Sequence, residues 1–269
     1  MTKIGIIIDN YHLKFKVSEF LEYLRSLAKV KIYIEEDHLL NSSETNFDED
    51  IFFVKGRGEL ILGFAKLIEE ETAIPIINSY KAIWHSINRF MNSLLLGKAG
   101  IPVPDFSLGC KNFTPKFNDY IVKNMVDQRN NAFDPLIKNE MDPIQIIDQR
   151  ALNELNERKG FLYYQKFIKS KWEYKIYGIG DNLYFYKQLP ILVNPNKLES
   201  RHKINPIPEL KEYAYKAMEV IGLRLTSIDF LKSEDGQFFL TDINSAPNFN
   251  YIKNGHKLIA NFLLKEARK

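Results

Sequence analysis

The sequence predicts an α/β protein with an open α/β unit at its N-terminal end, and three observations carry that prediction. Strand-like and helix-like segments alternate over the first eighty residues, as in a parallel sheet with crossover helices. Two apolar-rich segments flank Asp235-Gly236, the dipeptide best suited to a two-residue type I′ loop, so a β-hairpin is expected near the C-terminal end. With 269 residues, 45% of them hydrophobic and 13% aromatic, the chain is globular and long enough to bury a core divided over two or three subdomains.

The elements follow in order. Residues 3–9 read as a buried strand, 18–28 as an amphipathic helix with Ser18 as its N-cap, 30–34 and 51–54 as strands, 59–71 as a helix and 74–77 as a strand. Ligands of such units sit beyond the carboxyl ends of the strands, where residues 9–16 and 55–58 lie. A long helix from about 79 to 100 stops at Gly100-Ile101-Pro102-Val103-Pro104. A strand at 120–123, a polar stretch at 124–132, a strand and a helix between 143 and 158, and a strand at 161–168 come next. After a boundary near Lys169-Ser170-Lys171 come strands at 172–178 and 182–189, a polar loop at 193–208, a helix to Ile221, the hairpin and a terminal helix. The expected subdomains are 1–79, 80–168 and 169–269.

Composition narrows the function. With 37 basic and 34 acidic residues, a net charge of +3 and no basic stripe interleaved with exposed aromatics, no nucleic-acid partner is expected. The single cysteine, Cys110, excludes an intramolecular disulfide and a cysteine-cluster zinc site, and its apolar context reads as that of a small packed hydrophobe. No apolar run nears the roughly 18 residues that cross a bilayer, and the run 4–8 ends at Asp9, too short for a signal peptide. A cytoplasmic protein without a membrane partner is expected, its oligomeric state left open.

The hairpin carries the chemistry. A two-residue loop at Asp235-Gly236 sets Asp229 directly opposite Asp242, and strand alternation puts Asn244 on the same side as Asp242. Three oxygen ligands converge there, in strands whose other residues include Ile228, Phe230, Leu231, Phe239, Leu240 and Ile243. Two facing acids on a solvated sheet face are the bland alternative, but strands this apolar suit a Mg²⁺ site better. No GxxxxGK[ST] loop is present, and Gly56-Arg57-Gly58 is too short for a dinucleotide fingerprint and reads as a turn. Phosphate binding therefore falls to lysines and backbone in a cleft. Lys123 ends the apolar strand Tyr120-Ile121-Val122 and is desolvated unless an anion meets it. Glu173, Lys175 and Tyr177 share one strand face, and Lys187 ends the following strand. The five histidines form no HExxH pair or Cys/His ligand spacing.

In order and spacing, these motifs resemble the ATP-grasp superfamily over most of the chain, from Lys3 to Asn250. The resemblance implies an ATP-grasp fold behind the N-terminal unit, with ATP and Mg²⁺ as cofactors. It implies that Asp229, Asp242 and Asn244 hold Mg²⁺, that Arg89, Lys123 and Lys187 meet ATP phosphates, that the hinge Gln165-Lys166-Phe167-Ile168 pairs with adenine, and that Glu173 holds the ribose. Segment 124–132 departs from the family, having no glycine where many members carry a glycine-rich loop. Two reactions fit such a site, phosphoryl transfer to a hydroxyl and acyl-phosphate formation followed by amide formation; both need phosphates clamped by Mg²⁺ and positive charge. The string YYQKFIKSKWEYKIYGIGD, the pair Asn88-Arg89 and the Asp of Asp242-Ile243-Asn244 look like the inositol trisphosphate 5/6-kinase branch, RimK-type ligases usually carrying Glu-Val-Asn there. That branch implies a kinase acting on a small polyanionic alcohol, most plausibly an inositol phosphate. Lys175 and Asp242 would be catalytic and Lys14, Lys55 and Lys175 would face the acceptor, while Arg201, His202 and Lys203 read equally as the lining of a polyanion pocket or as a solvated loop. A RimK-like carboxylate–amine ligase is the alternative, and a silent nucleotide-binding module, which has no need of three metal ligands, the third.

Overall fold

The computed structural model describes residues 1–37, 46–110, 113–127, 143–149, 151–152, 161–190 and 198–269, and the backbone of 135–139. Strands β1 (Lys3–Ile8), β2 (Lys29–Ile34), β3 (Ile51–Lys55) and β4 (Ile76–Ile77) form a parallel sheet in the order β2-β1-β3-β4. The central strands β1 and β3 are apolar on both faces because helices cover both sides. Helix α1 (Asn10–Phe15) occupies the segment beyond the carboxyl end of β1. Its cause is local: the Asp9 carboxylate accepts a 2.7 Å hydrogen bond from the His12 N–H and caps the first turn. Ser18 does not cap α2 (Ser18–Arg25) but is its first residue, with Val17 at the cap position and no side-chain cap bond. Helix α3 (Glu59–Glu71) lies where the apolar periodicity put it.

The single helix expected over 79–100 is two, α4 (Tyr80–Ile87) and α5 (Arg89–Lys98). Asn88 takes an extended ψ of 98°, and its side chain accepts from the Met91 N–H at 3.0 Å, so a side chain able to replace a backbone acceptor starts a second helix. Residues freed by the break pair with the segment after Lys123: Arg89 N–H donates to Met125 O and Asp127 N–H to Ile87 O, each at 2.9 Å.

The middle sheet contains β5 (Phe106–Gly109), β6 (Tyr120–Asn124), β7 (Pro135–Asn139), β8 (Gln145–Asp148) and β9 (Leu162–Lys166), in the order β5-β9-β6-β8-β7. Cys110, just beyond β5, is exposed rather than packed, because the strand ends before it. The expected helix before residue 158 falls largely outside the described residues, as does most of the glycine-free stretch 124–132.

The third sheet is antiparallel: β10 (Glu173–Ile179), β11 (Asn182–Gln188), β12 (His202–Lys203), β13 (Leu225–Lys232) and β14 (Phe238–Asn244), ordered β12-β11-β10-β13-β14. One face, with Ile176, Phe185, Ile228 and Phe230, is buried under α6 (Pro208–Ile221) together with Ala82 and Leu96 of α4 and α5. On the other face Tyr177, Ile179 and Leu225 share a core with the N-terminal sheet and α7 (Gly255–Glu266). Each such buried side chain contributes on the order of 2 kcal/mol, which joins the first and third sheets firmly. At the other end of this face Glu173, Lys175, Asp229 and Asp242 turn toward the middle sheet. Among the described residues no helix is long and apolar enough to cross a membrane.

Candidate active site

The carboxylate pair forms, by a route other than the expected one. The hairpin turn has three loop residues: Ser233 N–H bonds Gln237 O at 2.9 Å, and Gly236 adopts φ +92°, the left-handed conformation that glycine tolerates best. That loop pairs Lys232 with Phe238 and Phe230 with Leu240, a register that continued unbroken would set Thr241 against Asp229. A β-bulge absorbs Thr241 as the extra residue and restores the pairs Asp229↔Asp242 and Ser227↔Asn244. The bulge also turns the Thr241 carbonyl toward Gln165 of β9, whose Nε2 donates to it at 3.3 Å.

A charged row crosses three strands, Lys175 beside Asp229 beside Asp242. Lys175 Nζ lies 2.5 Å from Asp229 Oδ1. Burial opposes the charge on Lys175, but Asp229 next to it, with Tyr177 and Glu173, holds its pKa above the usual lysine value. Asn244 Nδ2 donates to Asp242 Oδ2 at 2.8 Å, which leaves the amide oxygen for another partner. Opposite, Lys123 Nζ donates to Gln165 Oε1 at 2.8 Å. Burial, reinforced by Arg89, pulls Lys123 down to about 8 against the pull of Asp242, Asp127 and Asp148. Arg89 is buried and donates from Nη1 to Asn124 O at 2.8 Å and from Nη2 to Asp127 Oδ2 at 2.8 Å. Its Nε is buried without a partner.

These groups fit a nucleotide with its metal. Among the described residues no three His, Cys, Asp or Glu side chains cluster to hold a resident ion. Two carboxylates and an amide oxygen are the donor set of Mg²⁺, whose remaining positions go to phosphates and water. Desolvated Lys123 and the orphaned Nε of Arg89 both gain from an arriving anion, since an unpaired buried donor costs about 1–3 kcal/mol. Glu173 is buried on the same face and accepts from Gln188 Nε2 at 2.5 Å. Gln188 in turn accepts from Arg201 Nε at 2.6 Å, and Arg201 Nη1 reaches Tyr177 Oη at 3.0 Å.

Several expected site residues lie elsewhere. Lys187 pairs with Tyr174, so alternation aims it at the sheet face opposite Lys175, where its Nζ sits 4.3 Å from the Trp172 ring centroid. His202 pairs with Lys187 and shares that face, whereas Lys203 pairs with Tyr186 on the site side. Lys166 is exposed and bonds Asp105 Oδ2 at 3.1 Å; its N–H and that of Phe167 go to Asp105 O and Asp119 O, so neither of these two backbone donors of the expected hinge is left for a ligand. Lys14 is exposed on α1 and does not pair with Lys55. Lys55 is 3% exposed and donates to Ala246 O at 2.9 Å and to Pro247 O, so it clamps the chain just past Asn244 rather than presenting its charge. Burial drives it down to about 7 despite Asp9.

Gln188, Asn124, Asp127 and Arg57 were not legible as site residues. Asp127 Oδ2 also accepts from Arg57 Nη1 at 3.1 Å, tying the first sheet to the middle one. No local pattern marks it, because both its partners are distant in sequence.

No family model matches the chain. The sequence is 25% identical over 245 residues to a coenzyme gamma-F420-2:alpha-L-glutamate ligase of Methanococcus maripaludis, covering 80% of this chain and 81% of that protein. It is 22% identical over 284 residues to the tetrahydromethanopterin:alpha-L-glutamate ligase of the same organism, covering 97% and 94%. These relatives are ligases, and they overturn the expected inositol phosphate kinase. The details that looked kinase-like, Asp at residue 242, the Asn88-Arg89 pair and the hinge string, do not outweigh a likeness to ligases over most of the chain. Among solved structures, the ATP-grasp ligase PsnB complexed with a precursor peptide and AMPPNP superposes with a TM-score of 0.70 at 14% identity, over 99% of this chain and 97% of that one. Another structure of PsnB holds Mg and ADP. Three sheets in this order, a hairpin with two facing carboxylates opposite a desolvated lysine, and superposition over nearly the whole length lead to one conclusion: the chain has the ATP-grasp fold.

Proposed function

We propose that the protein is an ATP- and Mg²⁺-dependent carboxylate–amine ligase that activates a carboxylate as its acyl phosphate and transfers the acyl group to an amino acid, with L-glutamate the first candidate acceptor. The resemblance over nearly the full length to two proteins named as alpha-L-glutamate ligases carries this reading. The state of Lys55 agrees with it, because a lysine committed to Ala246 and Pro247 does not present its charge to a polyphosphate acceptor.

ATP with Mg²⁺ supplies the phosphoryl group that makes the carboxylate reactive. Asp229, Asp242 and the Asn244 amide oxygen hold the metal. Lys123 from the middle sheet and Arg89 from α5 neutralise phosphate oxygens, and Lys175, kept charged by Asp229, offsets charge on the group in transfer from the third sheet. Glu173 receives the ribose hydroxyls, and Ile168 borders the purine. Arg201, fixed by Gln188 and Tyr177, and Lys203 lie on the same face for the donor carboxylate or its acyl phosphate. Positioning and charge neutralisation supply most of the catalysis.

The test is a panel of small carboxylates and carboxylate-ended peptides with ATP, Mg²⁺ and either L-glutamate or hydroxylamine. Release of ADP with inorganic phosphate, and a hydroxamate in the hydroxylamine arm, is the expected result. ADP release with the phosphate retained on an alcohol would overturn the ligase reading.

A further inference from the structure

We infer that His12, oriented by Asp9, is the base that takes a proton from the ammonium group of the acceptor. The inference rests on the ligase reading and adds a residue to it. Asp9 and His12 are both buried, at 2% and 8% exposure. One oxygen of Asp9 caps α1 at the His12 N–H, while the other lies 2.7 Å from His12 Nδ1. Capping α1 needs only the first of these bonds. A carboxylate can only accept, so Nδ1 carries the ring hydrogen and Nε2 keeps its lone pair, the arrangement of an oriented general base. A Cβ on Gly56 would stand 3.0 Å from the second Asp9 oxygen, so the chain brings a backbone without a side chain against the pair.

The pair borders the segment that follows Asn244. It sits at the carboxyl end of β1, beside Lys55 at the end of β3, and Lys55 is bonded to carbonyls two and three residues beyond the metal ligand Asn244. The charged groups facing His12 are Asp9 on its own turn and Lys55 and Arg57 from β3 and the loop after it; the Tyr11 ring stands edge-on at 5.5 Å. Burial, with Lys55 and Arg57, lowers the His12 pKa below its usual 6.5 against Asp9, so the ring is neutral at pH 7 and able to accept.

The chemistry calls for such a group. An amino-acid ammonium has no lone pair at neutral pH. His12 Nε2 takes one proton; the freed amine attacks the acyl carbon, the C–N bond forms as the C–O bond to phosphate breaks, and the second nitrogen proton leaves with the phosphate. Summed over both half-reactions, carboxylate, ammonium and ATP give amide, ADP, phosphate and one proton, which His12 returns to water.

Hydroxylamine, unprotonated at neutral pH, bypasses this step and provides the test. With a carboxylate that gives hydroxamate in the wild type, His12→Gln should slow amide formation from L-glutamate by about 100-fold or more and leave the hydroxamate rate within about twofold. Asp9→Asn, which keeps the α1 cap, should slow amide formation by about tenfold and spare hydroxamate formation in the same way. An unchanged amide rate in His12→Gln, or equal loss of both products in both variants, overturns the inference and leaves a structural pair. A wild type that makes neither hydroxamate nor amide from any carboxylate overturns the ligase reading itself, and this inference with it. Independently of substrate, the ¹⁵N spectrum of the wild-type ring should show the Nδ1–H tautomer with a bare Nε2; the opposite tautomer would sink the inference.

Discussion

Asp242, on β14, and Lys55, which reaches from β3 to the chain just past β14, use their charges in opposite ways. Asp242 has Asn244 on one oxygen and faces Asp229, so the pair carries like charges that Lys175 offsets in part and an entering cation would offset further. Asp242→Asn should therefore abolish ADP release, by a factor of several hundred or more, with a melting temperature equal to or above that of the wild type; ordinary turnover in that variant would remove Asp242 from the metal site. Lys55 is charged in the unfolded chain up to its usual 10.5, but in the fold only to about 7. Between those values the unfolded state binds the extra proton, so stability contributed at this position rises with pH across that window and is lost as pH falls toward 7. Denaturant unfolding of wild type and Lys55→Met at pH 7 and pH 9.5 should show that rise in the wild type and a flatter response in the variant. A parallel pH response in the two proteins would mean that Lys55 keeps its proton in the fold.

At the scale of the element, the hairpin from Leu225 to Asn244 shows how far local chemistry reaches. Asp235-Gly236 does mark the turn, but Glu234 joins the loop, and the one-residue error this makes in register is cancelled by the bulge at Thr241. Pairing of Asp229 with Asp242 was legible in the sequence, whereas its cause was not. A bulge is chosen by what approaches the strand from outside, here Gln165 reaching the Thr241 carbonyl. Gly236 is the residue the loop conformation requires: Gly236→Ala at φ +92° should destabilise the protein by about 1–2 kcal/mol, measured by denaturant unfolding, with Asp229 and Asp242 still paired and the KM for ATP unchanged. A large rise in that KM would show that the turn, and not the bulge, sets the register. The helix break at Asn88 teaches the same lesson. A capping side chain inside an apolar periodicity was legible, yet the break is stabilised by Met125 and Asp127, residues more than thirty positions away.

For the whole molecule, the joint between the first and third sheets decides whether the site exists. Asn78, 1% exposed just past β4, uses its entire amide: Nδ2 donates to Leu225 O at 2.8 Å and Ser245 O at 2.9 Å, and Oδ1 accepts from Arg224 N–H at 2.8 Å and Leu225 N–H at 3.0 Å. It holds the start of β13 and the residue after Asn244 together, which keeps Asp229, Asp242 and Asn244 in line. Asn78→Ala strands four buried backbone groups and should cost at least about 3 kcal/mol, while Asn78→Asp, which can accept but not donate, should recover only part. Unfolding curves of the two variants that match wild type would place the strength of the joint in the apolar core instead.

By itself the sequence determined the strand and helix alternation, the acidic hairpin and the desolvated lysine at the end of β6, because these depend on periodicities and dipeptides a few residues long. The same short patterns could not separate a kinase from a ligase, since both need the same metal ligands and the same phosphate lysines. Only the tertiary structure decided that Lys187 faces away from the site, that Lys55 is spent on two carbonyls, that Asp127 gathers one arginine from the loop after β3 and one from α5, and that Asp9 holds His12 near Lys55 and Arg57. The physical reason is range: which face a strand turns to its neighbour, and which buried charge finds a partner, depend on groups that only the packing of three sheets brings within a few ångströms of one another.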